Sequence, residues 1–276
     1  MLRPREALAR ADAAPPLRPD RWPDDAGRGR TIAVIDGVPD LEALDLEGGD
    51  LEVIRIGVEP DAPPDEHATH AASLLVDARI GVVPRARLLA AGVTASDGRI
   101  AAAAVAEAIG WAIDRGAEIL VIPLGDHADD AAVERAIDRA IARGRIVVAA
   151  AGNAHPRPLM FPARRPGVVA VGACDESGAL LEGCSRTPRL DLVVPAREVI
   201  AAVARGREAP RSGTSVAAAL AGGLLALDPA GRRRSIARPP PRGSSDAPPC
   251  PSASTLPPTS TIPPASTLPR THQENA

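Results

Sequence analysis

Thr31-Ile32-Ala33-Val34-Ile35-Asp36-Gly37-Val38-Pro39 is the stretch on which the fold turns. Four consecutive apolar residues, Ile32 to Ile35, leave neither face of a strand polar, and glycine and proline close the run. So short a run reads as a parallel strand covered on both sides. The pattern repeats outward from it. Leu51, Val53 and Ile54 to Ile56 suggest a second strand, and Leu88 to Val93 a third. Val105, Ile109 and Ile113 fall on one face of an amphipathic helix. Ile119 to Ile122 is a strand stopped by Pro123, Val133, Ile137 and Ile141 repeat the helical spacing, and Ile146 to Ala151, Val168 to Ala173 and Leu190 to Val194 are further strands. Strands separated by helices of about 10 to 15 residues imply right-handed βαβ units. The expected fold class is α/β, with a mostly parallel central sheet and helices on both faces.

Composition narrows the rest. The 276 residues, 45% hydrophobic and 24% charged, can bury a sizeable core. A net charge of −3 gives no electrostatic basis for binding nucleic acid or an anionic membrane, and neither is expected as a partner. No apolar run approaches the roughly 18 residues of a membrane span, and Met1 to Glu6 lead into no apolar signal segment. The three cysteines, Cys174, Cys184 and Cys250, are an odd count that argues against a disulfide framework and fits a reducing, cytoplasmic location. Cys174 and Cys184 read as small buried hydrophobes. Residues 1–30 form an irregular lead-in, 31–228 the folded domain, and 229–276 a tail rich in proline, serine and threonine. Eleven of the 38 residues from 239 to 276 are proline, within a six-residue repeat that begins at Ser254. That density denies helix and sheet their amide donors, so the tail is expected to be a disordered spacer.

Four islands carry chemistry, all at strand ends or helix starts, where α/β folds place their sites. Asp36 closes the first strand; alone it could be a turn or cap residue. Glu66-His67-Ala68-Thr69-His70 sets two histidines three apart, a spacing that suits one helix face and could also serve a metal, although no third ligand follows at a recognisable spacing. Ala151-Gly152-Asn153 ends a strand on the only asparagine before the final tail; it could shape a turn or present an amide donor. Arg211-Ser212-Gly213-Thr214-Ser215 opens an alanine-rich helix, where Ser215 could cap or act as a nucleophile.

The order Asp36, His67, Ser215 is the chain order of the subtilisin triad. From about Thr31 to Ala226 the chain resembles the subtilisin-like serine peptidases, the subtilases. Ile35-Asp36 is similar to the family's aspartate motif, His67-Ala68-Thr69-His70 to its His-Gly-Thr-His, Ala150-Ala151-Gly152-Asn153 to its oxyanion segment, and Ser212-Gly213-Thr214-Ser215 to its Gly-Thr-Ser. Gly81-Val82-Val83-Pro84, Phe161-Pro162-Ala163 and Val169 to Ala173 resemble connecting motifs. The resemblance implies a three-layer fold and peptide hydrolysis through an acyl-enzyme. Asp36, His67 and Ser215 would be the triad, Asn153 an oxyanion donor, and segments near Gly98 and near Leu124 and Gly125 the edges that hold an extended substrate. It implies a peptide or protein substrate. No cofactor or metal is expected; calcium is common in the family, but no ligand loop here can be assigned. Oligomeric state is left open. Gly37, Ala68, Pro123 and Val216 depart from the family pattern, and at Gly37 a hydroxyl donor to the aspartate is missing. These departures motivate the alternative of a catalytically inactive peptide-binding module. A nucleotide-binding domain is disfavoured, because no Gly-x-Gly-x-x-Gly follows the first strand.

Overall fold

A computed structural model describes residues 25–46, 49–187 and 189–227. The tail expected at 229–276 and most of the lead-in lie outside the described residues. Seven strands form one parallel sheet: β1 (Thr31–Asp36), β2 (Asp50–Arg55), β3 (Arg87–Gly92), β4 (Ile119–Ile122), β5 (Ile146–Ala150), β6 (Val168–Cys174) and β7 (Leu192–Pro195). Their order is β2-β3-β1-β4-β5-β6-β7. Four α-helices are described: α1 (Glu66–Val76), α2 (Ala102–Asp114), α3 (Ala131–Ala142) and α4 (Thr214–Leu227).

β1 shows why its sequence has no polar face. Ile32 and Val34 enter the core shared with α1 and α4, whereas Ala33 and Ile35 enter the core shared with α2 and α3. Each helical layer therefore takes one period-2 set of the same strand. α4 is apolar nearly all round and buried from Val216 to Ala226, as a helix enclosed by sheet, loops and α1 must be. Residues 25–30 pack onto the domain: the Ala26 and Arg30 carbonyls accept the amides of Arg85 and Arg87 at 3.0 and 2.8 Å.

Two findings differ from expectation. An antiparallel hairpin of β8 (Val199–Val203) and β9 (Arg207–Arg211) stands apart from the main sheet. Its second strand, Arg-Glu-Ala-Pro-Arg, is polar and contains proline, so it carries no apolar signature. Cys184 is buried and free, whereas Cys174 is disulfide-bonded. An odd cysteine count leaves room for one bridge. Among the described residues no helix is long and apolar enough to cross a membrane.

Candidate active site

Parallel strands end on the same edge of a sheet, and here that edge meets the starts of two helices. Asp36, 2% exposed, is the last residue of β1. Its Oδ1 accepts the Gly37 amide at 2.9 Å, and its Oδ2 lies 2.7 Å from His67 Nδ1. The carboxylate can only accept, so Nδ1 carries the proton and the neutral ring keeps the Nε2 lone pair. His67 is the second residue of α1, whose start is fixed by Asp65: Oδ1 accepts the Ala68 amide at 2.8 Å. Burial is the strongest single influence on His67 and disfavours its charged form. The charge and hydrogen bond of Asp36, with the charge of Asp65, outweigh it and a smaller opposing effect of Arg211, so the pKa is raised above 6.5.

Ser215 is the second residue of α4. With His67, His70, Ala71, Arg211 and Val216 it lines one small pocket. Asn153, exposed beyond the end of β5, reaches the same helix start: its Oδ1 accepts the Thr214 amide at 3.0 Å. An N–H must meet the oxygen, so this bond fixes the amide's orientation and leaves Nδ2 a donor with no partner among the described residues. Thr214 Oγ1 in turn accepts the Gly152 amide at 3.1 Å. Gly213 explains the tight fit. Its φ is +126°, and a Cβ there would lie 3.1 Å from both Asn153 Nδ2 and Oδ1.

His70, 2% exposed, is turned to another use. Its Nε2 donates to the Val199 carbonyl at 3.1 Å, tying α1 to β8. Desolvation, helped by Arg211 and His67, lowers its pKa to about 4. The two histidines therefore do not converge on a metal. Below pH 6.5 the unfolded chain binds a proton that the folded His70 refuses until about pH 4. His70's contribution to stability is fully present above 6.5 and is lost as pH falls towards 4, roughly 3 kcal/mol in all. Denaturant midpoints at pH 7 and pH 4 should show this loss, and His70→Gln should flatten it. Equal pH slopes in parent and variant would refute it.

Leu124 and Gly125 follow the end of β4; beyond them Asp126 pairs with Phe161 through two 2.8 Å backbone bonds. Gly98, with φ +81°, sits in an exposed turn between the paired Thr94 and Ile100. One group of side-chain ligands converges among the described residues, Asp36, Asp65 and His67. Calcium takes six to eight oxygens, so two carboxylates and a ring nitrogen do not fit it. Asp65, Thr214 and Arg211 escaped the sequence reading as site residues. Thr214 and Arg211 stood in the island quoted around Ser215 without a role of their own, and Asp65 went unremarked although an aspartate ahead of a helical stretch is a cap signal.

Known proteins share both the sequence pattern and the architecture. The Subtilase family matches residues 27–230. Subtilisin BL of Lederbergia lenta is 31% identical over 208 residues, 73% of this chain and 76% of that protein. A thermophilic serine proteinase of Bacillus sp. (strain AK1) is 33% identical over 213 residues, 72% of this chain and 52% of that protein, so the chain spans about half its length. The self-cleaved protease domain of PatA superposes with a TM-score of 0.68 at 28% identity, covering 79% of this chain and 86% of that one. The prenylagaramide maturation protease PagA gives 0.68 at 27%, covering 75% and 77%. By its match along most of its length to that family, and by its kinship with named proteases, the chain belongs to the subtilases, the subtilisin-like serine endopeptidases.

Proposed function

We propose that the chain hydrolyses peptide bonds through Ser215, His67 and Asp36, with Asn153 as an oxyanion donor. The 2.7 Å bond between Asp36 and His67, beside Ser215 in one pocket, carries this reading. His67 Nε2 takes the Ser215 hydroxyl proton as the oxygen attacks the substrate carbonyl, then delivers it to the leaving amine. Asp36 fixes the tautomer and stabilises the imidazolium. Charge developing on the carbonyl oxygen is met by Asn153 Nδ2 and the Ser215 backbone amide at the positive end of α4. Water then releases the acyl group by the same proton path in reverse. An extended substrate would lie along the segments at Gly98 and at Leu124–Gly125 by backbone pairing. No observation favours the inactive binding module, since the departures at Gly37, Ala68, Pro123 and Val216 remove no atom of the proposed triad.

A serine-directed fluorophosphonate should label Ser215 in the folded chain and not after His67→Ala; folded protein that resists labelling would overturn the reading. Only the neutral imidazole can accept the proton, and the folded environment raises its pKa. kcat/KM should therefore climb with pH through a midpoint above 6.5. A midpoint below 6, or a profile flat from pH 5 to 9, would contradict His67 as the base.

A further inference from the structure

Position 37 has no side chain, and the structure supplies a reason. A Cβ on Gly37 would lie 2.4 Å from Asp65 Cβ, 2.5 Å from its Cγ and 2.9 Å from its Oδ2. These are the near atoms of a short side chain and cannot swing away, so a side chain at 37 and Asp65 in its place exclude each other. Asp65 is held from both directions. Its N–H donates to the Val38 carbonyl at 2.8 Å, in the segment that follows Asp36. Its carbonyl accepts the Thr69 hydroxyl at 2.6 Å, and Thr69 Oγ1 in turn accepts the Asp40 amide at 2.9 Å. Its Oδ1 caps α1 by accepting the amide of Ala68, three residues on, at 2.8 Å. One polar atom each of Asp36, Asp65 and His67 lies within 4.8 Å of the others.

We infer that Asp65 is a positioning residue for His67, fixing with one oxygen the helix start that carries the imidazole and bringing with the other a second negative charge into the space Gly37 leaves open. This rests on the reading of His67 as the general base. The charged and titratable groups that act on His67 are Asp36 from β1, Asp65 before α1, Arg211 from β9, and His70 on α1 itself. Glu66 pairs with Arg211 at 3.0 Å and also with Arg207, which offsets the cationic side of the pocket. The second carboxylate favours the imidazolium formed when serine gives up its proton. It also keeps more of the base protonated near neutrality.

Asparagine caps helices as well as aspartate but carries no charge, so Asp65→Asn separates the two roles. In a Ser215→Ala background, NMR titration of the His67 ring should move down by about half a pH unit or more on adding Asp65→Asn. In the active chain the same substitution should move the acid limb of kcat/KM down by the same amount and leave Tm nearly unchanged. Asp65→Ala should show the same titration shift together with a lower Tm. Gly37→Ala should lower kcat/KM by about tenfold or more by displacing Asp65, and adding Asp65→Gly should recover part of the loss. An unmoved His67 titration in Asp65→Asn, or a Gly37→Ala chain as active as the parent, would overturn the inference. Should the chain prove inactive, the NMR titration still reports on Asp65 and His67, so the two readings fail separately.

Discussion

Ser215→Ala is expected to abolish turnover of a peptide substrate, with kcat falling by about 10⁶-fold, the scale on which loss of a serine nucleophile acts in subtilisin. The hydroxyl is the atom that forms the acyl bond, and no neighbour can replace it. Thr214, one residue earlier, has its own hydroxyl engaged with the Gly152 amide at 3.1 Å, and it is 1% exposed. The variant should fold normally. Ser215 is on the second residue of α4, and the described hydrogen bonds that secure this helix start run instead through Thr214 and Asn153. Single-turnover assays with purified protein, alongside Tm, are the decisive measurement. A Ser215→Ala chain that retains even a hundredth of the parent rate would show that another group is the nucleophile.

Asn153→Ala should lower kcat by about 10²- to 10³-fold with little change in KM, the effect such a donor has in subtilisin. The hydrogen bond strengthens only as charge develops on the carbonyl oxygen, so it belongs to the transition state and hardly to the bound substrate. The structure refines this expectation. Because Oδ1 is already committed to the Thr214 amide at 3.0 Å, alanine removes both the oxyanion donor and a tie between the loop after β5 and α4. Asn153→Asp discriminates between these roles. It keeps an acceptor for Thr214 and replaces the donor with negative charge, so activity should fall at least as far as in alanine while Tm holds. Retention of kcat in Asn153→Asp would remove the oxyanion role and leave Asn153 as a structural link.

The sequence by itself was sufficient for the sheet and for the order of the proposed site. Strands buried on both faces must be apolar at every position, and β1, β4, β5 and β6 write this into unbroken runs that need no knowledge of their neighbours. Asp36, His67, Asn153 and Ser215 stood out because each sits where such a run stops or a helix begins, and the chain order was legible beside them. Only the tertiary structure decided what those residues touch. Asp65 fills the space over Gly37, Asn153 Oδ1 meets Thr214 across 61 residues of chain, and His70 turns to Val199 across 129. The β8–β9 hairpin was silent for a related reason. Its outer strand is largely exposed, and it is defined by pairing with β8 rather than by burial. Burial on two faces is a property each strand records in its own composition, whereas a hydrogen bond between distant segments depends on the register of both. That register is fixed only when the sheet has assembled and brought the strand ends to one edge.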